Sequence, residues 1–142
     1  MSKVRFGIIG LGRWAREVHV MNLNSVEEAE IVALSDCSQE SLDLALKIAK
    51  GSPVTYSDYH ALLEDPDIDA VFVTVPNFLH KQIAIEALQA DKHVFCEKPV
   101  TISIPEYDEV GSVLAKTDRV FQVGFEFRYA DMQACHQVLF NI

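Results

Sequence analysis

The sequence predicts an α/β protein: a doubly wound parallel sheet of six strands in the order 3-2-1-4-5-6. Three observations carry this prediction. Short apolar runs of strand length alternate with segments of helical periodicity along the chain. The first run ends in a glycine loop that opens a helix. No repeat, low-complexity tract or linker interrupts the alternation. Alternating β and α elements imply parallel strands with helices on both faces. Right-handed crossovers then make 3-2-1-4-5-6 the leading order. In that order the chain reverses between strands 1 and 4, and ligands bind at the strand C-termini beside the reversal.

The elements follow in turn. The first strand is Val4–Ile9, and Gly10-Leu11-Gly12-Arg13-Trp14-Ala15 leads from it into the first helix. Glu30–Ser35 is the second strand and ends at Asp36. Leu42, Ala45, Leu46 and Ala49 recur at helical spacing, with Gly51 as the closing glycine. Val54–Tyr56 and Ala70–Val75 read as strands three and four. Leu79, Ile83, Ala87 and Ala90 mark the next helix, and His93–Cys96 the fifth strand. Ser103 and Glu106 form a capping box, flanked by Ile102 and Tyr107 at the staple positions. The sixth strand is Val120–Gly124.

Composition narrows the function classes. The net charge of −9 argues against a nucleic-acid partner, because phosphate binding needs a basic face. No apolar run approaches a membrane span, and Lys3 and Arg5 precede glycines rather than a cleavage site, so no membrane or secretory role is expected. Cys37, Cys96 and Cys135 are widely spaced and odd in number, which fits a reducing, cytoplasmic compartment and speaks against a disulfide framework. No His/Cys/Asp/Glu spacing suggests a metal site.

Gly10, Gly12 and Ala15 fit G-x-G-x-x-[GA] at the end of a strand and the start of a helix. The first glycine permits the tight turn. The second lets a pyrophosphate approach the backbone at the helix N-terminus, and the small third residue lets helix and strand pack closely. Asp36 follows about 20 residues beyond Ala15, where a carboxylate can accept from ribose hydroxyls. Its bland alternative is a turn residue capping the next helix. A carboxylate repels a 2′-phosphate, and neither Cys37 nor Ser38 is basic, so NAD is favoured over NADP. Arg13, inside the loop, could swing toward the ribose. Trp14 reads first as packing, yet its place in the loop puts it among the cofactor-side residues with Gly10, Gly12 and Arg13.

The stretch Val75-Pro76-Asn77-Phe78-Leu79-His80, then Ala87-Leu88 and Lys92 to Pro99, resembles the glucose–fructose oxidoreductase and inositol dehydrogenase (Gfo/Idh/MocA) family. Gly7 to His19, Tyr56-Ser57-Asp58-Tyr59, and Gln122 to Phe125 with Arg128 fit the same pattern. The resemblance implies the Rossmann fold and NAD(P)-dependent hydride transfer to or from a sugar, polyol or related carbonyl compound. It also implies that Lys98 lies beside the nicotinamide and hydrogen-bonds the reacting oxygen. Two departures are visible. Asp91 stands where the family usually has glycine, a position aspartate tolerates. The family also continues into a β-rich second domain carrying the substrate pocket and a catalytic histidine, whereas this chain is expected to be incomplete without it.

Strands 4 and 5 are neighbours in the predicted order, so Lys98 emerges beside Val75, Pro76 and Asn77, the nicotinamide half of the crevice. Pro99 biases Lys98 toward extended backbone, and the Lys98–Pro99 bond is a candidate cis bond. Lys98 is the catalytic candidate, and Glu97 is either its structural partner or a catalytic group. His80 could touch the nicotinamide side or cap its helix, and His19 is open between a site and a structural role. His60, His93 and His136 read as structural or surface. Residues 1–129 are thus expected to form the dinucleotide-binding domain. Met132, Cys135, Leu139 and Ile142 share one face of a helix expected over 130–142, which would dock on apolar surface, preferably that of a second copy. The rival readings are a non-catalytic NAD sensor and a domain for another nucleotide-bearing ligand, such as S-adenosylmethionine or coenzyme A.

Overall fold

A strand covered on both faces must be apolar, and the two central strands meet that demand where they are buried. In the computed structural model, which describes residues 3–125, β4 (Ala70–Val73) is buried over most of its length and β1 (Val4–Ile9) over its C-terminal half, Gly7–Ile9, while its N-terminal half carries Arg5. Around them stand β2 (Ala29–Ser35), β3 (Val54–Tyr56), β5 (His93–Glu97) and β6 (Phe121–Gly124). The sheet runs β3-β2-β1-β4-β5-β6, as the sequence predicts. All five pairings are parallel.

Register brings one end of the sheet level. Ile9 lies opposite Ser35 and Val73, Ser35 opposite Tyr56, and Val73 opposite Cys96. The last ladder step pairs Glu97 with Gly124. All the strand C-termini therefore open on one rim, with the chain reversal between β1 and β4 at its centre.

Two apolar clusters lie on the two faces. On one, α1 (Ala15–Val20 followed by Met21–Leu23) and α2 (Gln39–Leu46) contribute Val20, Leu42 and Ala45 against Ile8, Ile31 and Leu34. On the other, α3 (Tyr59–Glu64) and α4 (Asn77–Gln89) bring Leu62, Leu63, Ile83, Ala84, Ala87 and Leu88 against Ile9, Val71, Val73 and Val94. From α5 (Ile104–Leu114), Val113 and Leu114 pack at the edge of that second cluster.

Several boundaries differ from the sequence-based expectation. β4 stops at Val73, so Val75 belongs to the turn rather than the strand; Thr74 makes the last backbone bond to β1, to Ile9 O, and its hydroxyl bonds the glycine loop. β5 gains Glu97, β2 gains Ala29, and β6 begins at Phe121. α2 ends at Leu46, which is exposed, and Gly51 takes its left-handed conformation (φ 80°) several residues later. α3 was not anticipated, being little more than one turn, capped by Asp58 accepting from the His60 amide. The capping box forms in part: Ser103 accepts from the Glu106 amide, but Glu106 returns its bond to Ile102 N (3.0 Å) rather than to Ser103. The staple residues Ile102 and Tyr107 both remain 67% exposed, so that contact buries little. The helix expected over 130–142 lies outside the described residues, as do Arg128, Cys135 and His136.

Asp91 adopts φ 62°, the left-handed position anticipated for it. It completes a Schellman motif on α4: Lys92 N–H donates to Ala87 O (3.0 Å) and Asp91 N–H to Leu88 O (3.1 Å). The opposite end of the sheet is tied by Arg5. Its guanidinium donates to both Asp69 oxygens (3.1 and 2.9 Å) and to Asp67 (2.8 Å), while its backbone amide donates to Asp69 Oδ2 (2.9 Å).

Arg5 holds the Asp69 carboxyl below its ordinary value of 3.8. The Asp67 backbone amide, then the Tyr56 hydroxyl, do the same for Asp65. Depressed folded-state values mean that these carboxylates stabilise the fold at pH values above about 4 and lose that contribution as pH falls through their folded values. The urea midpoint should therefore drop as pH is lowered from 5 toward 2, and Arg5→Met should flatten that drop while lowering the midpoint at pH 5. An identical slope in both proteins would refute the assignment.

Candidate functional site

The glycine loop leaves β1 in a conformation only glycine supports. Gly10 sits at φ 87°, and a Cβ there would lie 2.9 Å from the Thr74 carbonyl carbon and oxygen. Both constraints exclude a side chain. Three bonds fix the turn: Gly10 N–H to Ser35 O (2.8 Å), the Thr74 hydroxyl to Gly10 O (2.6 Å), and Thr74 N–H to Ile9 O (2.9 Å). Gly12 is different. A Cβ on Gly12 would meet nothing within 4 Å, so its backbone faces open space at the start of α1, the cradle that a pyrophosphate needs.

Asp36 closes the other side of the loop. One carboxylate oxygen accepts from Leu11 N–H (2.7 Å) and the other from Ser38 N–H (2.8 Å). It latches the glycine loop to the end of β2 and holds the turn before α2, whose N-cap is Ser38 rather than Asp36. A carboxylate has about four lone-pair positions, so two remain for ribose hydroxyls. Arg13 is engaged elsewhere. Its Nε donates to both Glu17 oxygens (2.8 and 2.9 Å), an exposed i,i+4 pair on α1. Arg16, unmentioned by the sequence reasoning, donates to Leu11 O behind the loop.

Across the reversal, Thr74, Val75, Asn77, His80, Glu97, Lys98 and Trp14 line an open hollow of about 290 Å3. Pro76 precedes α4 and accepts from Leu79 N–H (2.9 Å). Lys98 is exposed at the mouth, and the Lys98–Pro99 bond is cis. His80 neither caps α4 nor faces solvent. It is 1% exposed, with Nδ1 2.7 Å from Pro99 O and Nε2 2.8 Å from Val75 O. Its ring therefore joins the turn after β4 to the turn after β5. The helix-capping alternative does not hold, since no side chain caps α4, whereas the ring still borders the hollow.

Glu97 is the residue whose role sequence reasoning left undecided. Its Oε1 accepts from Trp14 Nε1 (3.0 Å) and His19 Nε2 (2.8 Å), and its Oε2 accepts from Lys98 N–H (3.2 Å). The His19 ring packs against both Phe72 and Phe95, at centroid distances of 5.1 and 5.3 Å, and those two rings stack on each other at 4.5 Å. His19 is thus structural within the site, and nothing in its local sequence signals the partner on β5. Beneath them, burial pushes the Cys96 thiol up to about 12, so it offers no reactive thiolate.

A larger hollow, about 610 Å3, lies on the opposite rim at the strand N-termini. Most of its charges are paired: Arg5 holds Asp69, Arg119 faces Asp91 at 2.8 Å, and Lys92 Nζ donates to Asp65 O (2.7 Å) and Ile68 O (2.9 Å). Among the described residues no cluster of three or more His, Cys, Asp or Glu side chains could hold a metal ion, and no helix is long and apolar enough to cross a membrane.

A glycine loop, an acidic residue closing β2 and a lysine-bearing hollow across the reversal define a dinucleotide-binding domain of the nicotinamide type. The chain belongs to the oxidoreductase family with an NAD-binding Rossmann fold (GFO_IDH_MocA), which matches residues 4–125. It is 36% identical over 126 residues to myo-inositol 2-dehydrogenase of Thermotoga maritima, covering 89% of this chain and 37% of that protein. It is 40% identical over 125 residues to the oxidoreductase YrbE of Bacillus subtilis, covering 87% and 36%. Among solved structures, scyllo-inositol dehydrogenase from Lactobacillus casei with bound NAD(H) and scyllo-inositol superposes with a TM-score of 0.84 at 33% identity, over 96% of this chain and 41% of that one. The 3-ketoreductase KijD10 from Actinomadura kijaniata, in complex with NADP, gives 0.84 at 29% identity, over 96% and 42%. The chain thus spans little more than a third of the length of the curated relatives it matches.

The two glycines should separate under mutation. Gly10→Ala forces a Cβ into the Thr74 backbone at a left-handed φ, and should cost roughly 2 kcal/mol or more of stability. Gly12→Ala should leave the urea midpoint nearly unchanged yet weaken dinucleotide binding about tenfold, equivalent to about 1.4 kcal/mol. Equal destabilisation by both would contradict the geometry.

Proposed function

We propose that this chain is the NAD-binding half of an oxidoreductase that moves a hydride between a nicotinamide and a secondary carbinol or its ketone on a sugar or cyclic polyol. The observation that carries the reading is the position of Lys98. It stands at the mouth of the hollow that continues from the glycine loop across the reversal, beside the Val75–Asn77 turn. The residues fit the cofactor: Gly12 offers an open cradle at a helix N-terminus, and Asp36 keeps acceptor capacity at the ribose end. When bound there, the nicotinamide supplies the hydride donor or acceptor. The chain's own contribution is to aim and stabilise. The Lys98 ammonium donates to the reacting oxygen and stabilises negative charge developing on it as the C–H bond is exchanged. Val75, Pro76 and Asn77 set the floor of the nicotinamide half. The polyol class is supported by the inositol named for the similar dehydrogenases.

NAD is the cofactor of this reading rather than NADP, because Asp36 would repel a 2′-phosphate and the one arginine in the loop is paired with Glu17. Calorimetric titration with both reduced cofactors tests this. NADH should bind more tightly than NADPH, and Asp36→Ala should narrow the gap. A wild-type preference for NADPH would overturn the choice, and binding of S-adenosylmethionine without NADH would overturn the function.

Lys98 is assigned to chemistry more than to affinity. In a form carrying the second domain, Lys98→Met should lower kcat by about a hundredfold or more while NADH affinity stays similar. Near-normal turnover would return Lys98 to an ordinary surface role.

A further inference from the structure

Trp14 and His19 are five residues apart, yet both reach one oxygen of Glu97. In a regular α-helix at 3.6 residues per turn, such residues point about 140° apart. The segment Ala15–Val20 is not regular: it is wound as a π-helix, whose bonds run from i to i+5. That wider turn places His19 over Trp14. Such turns are rare and concentrate at functional sites, and here both residues hydrogen-bond the Glu97 carboxylate.

The carboxylate is built in from every side. Its side chain is 12% exposed and His19's is 10% exposed. A carboxylate only accepts, so His19 carries its proton on Nε2. On the β6 side, a Cβ at Gly124 would come within 3.3 Å of the Glu97 carboxyl carbon. The absence of a side chain there leaves Glu97 room to fold toward α1. Its other oxygen accepts from the Lys98 amide, the backbone of the proposed catalytic residue.

We propose that Glu97 is a positioning residue rather than an acid or base: one carboxylate sets the first turn of α1, which carries the phosphate cradle, at a fixed distance from the Lys98 turn. Resting on the NAD reading above, it makes Trp14 the hinge pin of the cofactor hollow. The indole, 53% exposed, lines both that hollow and a small apolar cavity of about 100 Å3 bounded by Val18, Phe95, Val123 and Phe125. Its N–H bond to Glu97 determines which of the two spaces the ring occupies.

The chain has a single tryptophan, so its emission and its indole N–H resonance report Trp14 alone. In the ligand-free protein, Glu97→Gln turns one carboxylate oxygen into an amide donor, and both signals should shift. With NADH, Glu97→Gln and Trp14→Phe should each weaken binding about fivefold to tenfold, and the double variant should lose no more than the larger single effect. Trp14→Phe keeps the ring and deletes only the donor, so it reads the contact even where Glu97→Gln folds poorly. An unchanged indole resonance in Glu97→Gln, or fully additive losses, would overturn the proposal. So would loss of turnover in Glu97→Gln with both the indole signal and NADH affinity intact, which would make Glu97 an acid or base. Failure of the wild type to bind NADH would strike the function reading instead, and the ligand-free signals would still decide the role of Glu97.

Discussion

A close approach of two backbone turns governs most of the rest. Gly10 presses against the backbone of Thr74 with no room for a Cβ, and the Thr74 hydroxyl completes the contact. That contact is where two halves of the sheet diverge. β1 exits toward α1 on one face, β4 exits toward α4 on the other, and the gap between them is the crevice. Leu11 can then present its amide to Asp36, and Gly12 can face open space. Any side chain at position 10 would push the loop off β4 and move every group that follows.

Two kinds of bond hold the crevice open, and they differ in range. Backbone register levels the strand ends and is distributed over many weak steps. Side-chain bridges then span the gap at single points: Asp36 between β2 and the glycine loop, His80 between two turns, and Glu97 between β5 and α1. The opposite rim is tied just as firmly through Arg5 and Lys92. Most of its charges pair with one another, whereas the bridges of the crevice rim draw polar groups inward with Lys98 exposed at the mouth.

What the sequence could reveal follows from this distinction. Periodicity and glycine placement are local, so strand order, the glycine loop, Asp36 and the Lys98 exit were all legible. The left-handed Asp91 was legible too, because its constraint is its own φ angle. The π-wound turn was not, since the carboxylate that its His19 meets, Glu97, lies 78 positions away. The bridging contact of His80 was hidden for the same reason: it looks like a helix-start histidine until the Pro99 carbonyl is brought beside it. The overlong fourth strand came from treating Thr74 and Val75 as β-formers, when the hydroxyl of Thr74 has a competing partner in Gly10.

The sheet's outermost strands have a colloidal consequence. An unpaired strand edge is a template on which another chain can grow, and proteins blunt it by shortening and charging it. Here the two rims are β3, with three residues, and β6, with four. The long apolar strands are all interior. With a net charge of −9 adding mutual repulsion, the described domain keeps its stickiest backbone enclosed and offers neighbours only brief, guarded edges.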